Sequence, residues 1–162
     1  DNMMLNEKIF IDFDGVIVDS EDRVIKRREK DNDISWDEFF KKIDWFQLLD
    51  ESLIINDAIN CILEGQEKGK DISILTKIHT LMEMQAKVEF IRNHNIIVPI
   101  LFTPPHVKKS EIYLPSNGEI LIDDSIKNLN NWKINGGTGI YFNKNNDINE
   151  EFPTIKTLKK VL

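Results

Sequence analysis

The sequence predicts an α/β fold: a three-layer, doubly wound and mostly parallel sheet, with a small helical cap inserted after the first strand. Three observations lead there. Short apolar runs recur along the chain, segments of helical spacing separate them, and the alternation breaks only between about residues 20 and 55. Strands that alternate with helices are joined by crossovers, so they lie parallel and need helices on both faces.

The first strand is expected at residues 8–12, a buried run that ends in carboxylates. Further strands are expected at 71–76, 96–102, 119–122 and 139–142, where β-branched residues cluster between turn signals. Helical patterns fall at 57–68, 79–94 and 126–133. Between about 20 and 55 no strand stands out. Ser35-Trp36-Asp37-Glu38 has the form of a capping box, and Phe39, Phe40 and Ile43 follow on one helical face. The division is therefore a core of residues 1–18 and 56–162 and a cap of residues 19–55 standing over the carboxyl edge of the sheet. Residues 143–151 are polar enough for a mobile loop, and Gly136-Gly137-Thr138-Gly139 reads as a helix end turning into a strand, not a dinucleotide loop.

Composition narrows the function. The chain has 162 residues, enough for one domain with a real core, and a net charge of −7 that disfavours binding to a polynucleotide. Lys26, Arg27 and Arg28 are followed by acids and read as a solvated helix face. No apolar run approaches the ~20 residues of a membrane span, and the amino terminus lacks the order of a signal peptide. The lone Cys61 sits in an apolar pattern, as a small core residue of a protein in a reducing cytoplasm.

Four sets of polar residues fall at the carboxyl ends of predicted strands, where open α/β sheets bind ligands. Asp12 and Asp14 close the first apolar run; on an extended strand they share one face, with Gly15 where the backbone leaves it. One carboxylate there can attack phosphorus while the other handles a proton, and both attract a hard cation. Thr76, with Lys77 beside it, ends the second strand and offers a hydroxyl and backbone N–H groups to a phosphate. Lys108 and Lys109 precede a short helix, and either can neutralise charge on a transferring phosphoryl group. Asp123 and Asp124 end another strand and suit magnesium. Each set alone fits plain turn, cap or surface chemistry. Their coincidence at one sheet edge is what points to phosphoryl chemistry.

The ordered set Asp-x-Asp-Gly-Val, apolar-Thr, Lys and Asp-Asp resembles the haloacid dehalogenase superfamily of phosphohydrolases over essentially the whole chain. The resemblance implies a Rossmann-like core and a magnesium-dependent phosphomonoester hydrolase working through an aspartyl-phosphate. Asp12 would be the nucleophile and a metal ligand. Asp14 would be the acid and base, touching the metal through its backbone carbonyl, and would need a raised pKa. Thr76 would bind phosphoryl oxygens. Lys109 fits the third motif better than Lys108, because Lys-Ser leads into a short helix containing an aromatic. Asp124 would be the principal metal ligand of the fourth motif, assisted by Asp123. The acid at position 14 argues against dehalogenation, which has no leaving alcohol to protonate.

The stretch LIDDSIKNLNNWKINGGTGIYFN resembles the 5′(3′)-deoxyribonucleotidase branch, through Trp132, Gly136, Gly137 and Gly139. That branch implies a small phosphorylated substrate, a nucleoside monophosphate, and a monomer or homodimer. FDGVIVDS alone looks equally like sugar-phosphate phosphatases and phosphomutases of the same superfamily. Trp36, Phe39, Phe40, Trp45 and Phe46 are available to stack on a base but also to form the core of the insertion. His79, His94 and His106 show no metal-ligand spacing. Two further readings are a receiver-like signalling domain, disfavoured by the chain order of its acids, and a fold relative that binds a phospho-ligand without turnover.

Overall fold

The computed structural model describes residues 7–162. In chain order its elements are β1 (Lys8–Ile11), α1 (Ser20–Lys30), α2 (Trp36–Lys42), α3 (Trp45–Glu51), α4 (Ala58–Glu67), β2 (Asp71–Lys77), α5 (Leu81–Asn93), β3 (Ile100–Thr103), α6 (Lys109–Ile112), β4 (Ile120–Asp123), α7 (Ile126–Ile134), β5 (Thr138–Phe142) and β6 (Thr154–Ile155). A single 3₁₀ turn, Leu158–Lys160, follows.

All six strands are parallel, in the order β3-β2-β1-β4-β5-β6, so the sheet is wholly and not mostly parallel. The order reverses between β1 and β4, and that switch point is where a doubly wound sheet opens a crevice beyond its carboxyl ends. A receiver domain seats its first strand between the second and third; here β1 lies between β2 and β4. The two faces carry separate cores. Ile9, Ile11, Ile72, Ile74, Ile120 and Ile122 pack with α4 and α5 residues such as Ile62, Ala86 and Ile91. Phe10, Leu75 and Leu121 pack on the other face with Leu129, Trp132 and Phe152. Alternation of period two along β1, β2 and β4 generates both layers.

Several boundaries differ from the sequence expectation for identifiable reasons. The run 96–102 becomes strand only from Ile100, because Pro99 has no N–H to donate to a ladder. Ile96 and Val98 are nevertheless buried, and both their carbonyls accept from Arg92 Nη1 at 2.8 Å. Residues 143–151 carry no regular structure, but asparagines organise them: Asn143 Oδ1 accepts from the backbone N–H groups of Asn145 and Asp147, and Asn149 Oδ1 from those of Glu151 and Phe152. The segment 19–55 holds three helices. Ser35 caps α2 by accepting from the Glu38 N–H at 3.1 Å, and Asp44 caps α3 by accepting from the Gln47 N–H at 3.1 Å. The Lys26–Arg28 run is less solvated than expected: Arg27 pairs with Glu51 of α3 at 2.8 Å, and the Arg28 guanidinium lies over the Trp36 ring.

Candidate active site

The carboxyl ends of β1 and β4 lie side by side, and the Asp12 N–H donates to the Ile122 carbonyl at 2.9 Å. That register brings Asp12, Asp123 and Asp124 together, each offering a carboxylate oxygen within 4.8 Å of the others. Lys109 enters from the first residue of α6. Its buried Nζ donates to Asp12 Oδ1 at 2.9 Å and to Asp123 Oδ2 at 2.8 Å. Lys108 does neither: it is exposed, and its backbone N–H donates to Glu111 Oε2 at 2.6 Å. Asn128 Nδ2 and the Ser125 N–H complete the hydrogen bonding of Asp123, at 3.1 and 2.9 Å.

Asp12 and Asp14 do not hang from one strand face. β1 ends at Ile11, and the chain then curls through Gly15 (φ +79°), so Asp12 meets Lys109 on the α6 side while Asp14 turns to α5. Phe13 fills the core between them. A methyl group on Gly15 would overlap the Asp124 carboxylate, and its left-handed φ disfavours any side chain. Gly15→Ala is therefore expected to lose stability by ~1–3 kcal/mol and to weaken divalent cation binding about tenfold or more; urea unfolding and a magnesium titration followed by calorimetry check both.

Sequence reasoning missed the partner of Asp14. Lys87, on α5, is fully buried; its Nζ donates to Asp14 Oδ2 at 2.7 Å, Thr76 Oγ1 at 2.8 Å and the Lys77 carbonyl at 2.7 Å. It also pairs with buried Glu83 at 3.0 Å. Glu83 in turn accepts from the His79 N–H at 2.6 Å and lies 2.9 Å from the ring Nδ1. Ser20, at the start of α1, donates to the other Asp14 oxygen. The only signal in the sequence was a Glu and a Lys four residues apart on one helix, which reads as an ordinary exposed pair.

These surroundings push the carboxylates in opposite directions. Burial, then the charge of Asp123, raise Asp12 well above the usual range, with Lys109 opposing them. Burial, then Glu21 and Asp123, push Asp124 up to about 8. Glu21 is pushed up to about 7 by burial and then by Asp12 and Asp14. Burial acts on Asp14 too, but the charge and hydrogen bond of Lys87 outweigh it and hold Asp14 below its ordinary value. The raised pKa expected for Asp14 thus falls instead on Asp12 and Asp124. A cluster that must take up protons or a cation, with only oxygen donors, fits a hard divalent ion such as magnesium.

Above this floor opens a cavity of about 660 Å³. Its lining includes Asp12, Asp14, Asp123, Asp124 and Lys109, the further acids Glu21 and Glu83, the lysines Lys77, Lys108 and Lys127, and Val24, Ile25, Phe40 and Trp45 of the helical segment. The His79 ring stacks on Phe40 with centroids 3.7 Å apart and runs nearly parallel to Trp45, 5° between planes. Thr76 is fully buried and not on the wall; its hydroxyl accepts from Lys87, and its own proton finds only long partners, Asp14 at 3.5 Å and the Lys77 carbonyl at 3.4 Å. His94 packs against Phe90, away from the cavity, whereas His106 lines it. Cys61 belongs to the core. Among the described residues no helix is long and apolar enough to cross a membrane.

No protein-family model matches the chain, and no curated protein matches it. Solved structures do. The chain is similar to the magnesium-bound HAD-hydrolase YfnB from Bacillus subtilis, with a TM-score of 0.66 at 13% identity over 96% of each chain. It is similar to a family IA HAD hydrolase from Entamoeba histolytica, with a TM-score of 0.64 at 15% identity over 96% of this chain and 95% of that one. A D,D-heptose 1,7-bisphosphate phosphatase from B. bronchiseptica, complexed with magnesium and phosphate, gives 0.60 at 13% identity over 95% of each. The six-stranded parallel sheet and its helical layers are thus the fold found in haloacid dehalogenase-like hydrolases.

Proposed function

We propose that the protein is a magnesium-dependent phosphomonoester hydrolase and that its substrate is a nucleoside monophosphate. One observation carries the reading: Lys109 bridges Asp12 and Asp123 beside Asp124, at the base of a cavity at the topological switch point. That arrangement offers a nucleophile, a fixed cation and a cation site on one floor, which is what in-line phosphoryl transfer asks of a protein.

Asp12, Asp123 and Asp124 would hold the ion, with the Asp14 backbone carbonyl as the family resemblance implies. When bound, magnesium offsets the charge on the phosphoryl oxygens. Asp12 attacks phosphorus through one carboxylate oxygen, and Lys109 neutralises the charge that gathers beside it. Thr76, buried and off the cavity wall, does not take the phosphate-binding part expected of it; its hydroxyl accepts from Lys87 and so helps to position that ammonium beside Asp14. Asp14 protonates the leaving oxygen and then takes a proton from the water that cleaves the aspartyl-phosphate. Lys87 holds the Asp14 pKa below the ordinary value and so keeps it ionised, ready for the second task. The negative charge of the arriving substrate raises its pKa, which prepares it for the first.

Residues 19–55 act as the cap that chooses the substrate. The half-buried Phe40 and His79 rings favour a planar group, since stacking on an aromatic face contributes ~1–3 kcal/mol per base. Sugar phosphates are the second reading, favoured by the likeness to heptose bisphosphate phosphatases. The test is release of inorganic phosphate, with magnesium or EDTA, from nucleoside 5′- and 3′-monophosphates and from sugar phosphates. Asp12→Asn is expected to lower the release by at least about a thousandfold; activity that survives that substitution would remove the mechanism, and activity confined to sugar phosphates would remove only the nucleotide.

A further inference from the structure

We infer that the cavity accepts a phosphomonoester whose leaving group carries a second anionic group, and that Lys77, Lys108 and Lys127 hold that anion. The inference rests on the phosphohydrolase reading and adds to it a substrate class.

The three lysines come from three separate elements. Lys77 ends β2, Lys108 directly precedes α6, and Lys127 is the second residue of α7, yet all three line one cavity. Strand alternation places Lys77 on the same face as Leu75, the face that α7 covers. Each of the three is exposed, and none of their ammonium groups forms an ion pair among the described residues. Lys87 and Lys109, in contrast, are each committed to two carboxylates. Unpaired lysines are ordinary on a surface, but three lining one cavity in a chain of net charge −7 are not.

Charge balance separates the two groups. Lys109 and a divalent cation together only balance Asp12, Asp123 and Asp124, and leave no positive charge over for an anionic substrate. Lys77, Lys108 and Lys127 are the cavity lysines that remain to meet the substrate's negative charge. Lys127 also sits in the first turn of α7, where the helix dipole favours an acid over a base. A bound anion beside Lys127 relieves that conflict. The apolar residues Val24, Ile25, Phe40 and Trp45 line the same cavity. The substrate that suits both surfaces has an apolar or planar body, one phosphate directed to the floor and a second phosphate or carboxylate directed to the lysines.

The experiment compares a nucleoside 5′-monophosphate, the corresponding 3′,5′-bisphosphate and a phosphorylated hydroxy acid as substrates of the wild type and of K77M/K108M/K127M. The wild type is expected to prefer a doubly anionic substrate by about tenfold or more in kcat/KM, carried in KM, and the preference is expected to shrink with added salt. The triple variant is expected to bring the ratio near one. Preference for the bisphosphate over the hydroxy acid names phosphate as the second anion, and the reverse names carboxylate. A ratio near one in the wild type, or a ratio the triple variant retains, overturns the inference. Binding to Asp12→Asn in the presence of magnesium, measured by calorimetry, separates this failure from the other. If that variant binds neither doubly anionic ligand more tightly than the monophosphate, the lysine site falls; if it does so but the wild type hydrolyses nothing, the phosphohydrolase reading falls alone.

Discussion

Lys87→Met is expected to destabilise the protein by ~3–5 kcal/mol, the cost of breaking a buried ion pair by removing one partner. Methionine matches the lysine stem, so the loss is electrostatic and not a cavity. Removing the ammonium leaves Glu83, 2% exposed, with only His79 for company, and leaves Asp14 with only Ser20 and a long contact to Thr76. Adding Glu83→Gln should recover part of the loss, because it removes one of the stranded charges; the double-mutant cycle then gives the coupling within the pair. Activity should change in a direction that packing alone does not predict. Without Lys87, burial is free to raise the Asp14 pKa, so whichever limb of the pH–rate profile Asp14 governs should move to higher pH. Urea unfolding of the two variants, with pH–rate profiles where they fold, measures both effects. A loss below about 1 kcal/mol with an unshifted profile would mean that the buried pair does not govern Asp14.

Lys87 also marks the limit of what the chain discloses by inspection. Asp12, Asp123 and Asp124 were legible because each ends an apolar run, and a parallel sheet gathers the ends of its central strands at one edge whatever the loops do. From the residues alone Lys109 was legible as one of two adjacent lysines, and the family resemblance favoured it over Lys108. The choice between them depends on which faces the sheet from the first turn of α6, and burial decides that through Asp12, 97 residues away in sequence. Lys87 gave no such sign, since its contact with Asp14 spans 73 residues and its local pattern is that of a surface helix. The two-residue β6 is too short to carry a periodic signal; the ladder to Tyr141 and Phe142 defines it. The direction of Asp14 failed for a geometric reason. Period-two reasoning holds only while the backbone stays extended, and β1 stops one residue before Asp12.

The cation-free protein is expected to lose stability as pH rises between about 4 and about 8, and magnesium to restore it progressively over the same range. In the unfolded chain aspartates titrate near about 3.9. In the folded protein Asp12 is raised well above that and Asp124 is raised to about 8, first by burial and then by neighbouring acids. Between those values the folded state holds protons that the unfolded state has released, so the slope of stability against pH is negative. Asp14 works oppositely: its lowered pKa contributes stability above the unfolded value, and that stability disappears only as pH falls through the folded one. It therefore acts at the acid end and leaves the window to Asp12, Asp124 and Glu21. A divalent ion competes with the protons of this cluster, so its affinity should rise with pH and its binding should release protons. Thermal melts with and without magnesium between about pH 5 and about pH 8 test the stability, at about 2–4 °C for each kcal/mol in a chain of this size. Calorimetry in two buffers of different ionisation enthalpy counts the protons. Asp124→Asn should flatten the cation-free slope and abolish the magnesium effect together, because one crowded cluster underlies both; a cation-free melting temperature that rises across the window, or binding without proton release, would show that the carboxylates are ionised and accommodated before any cation arrives.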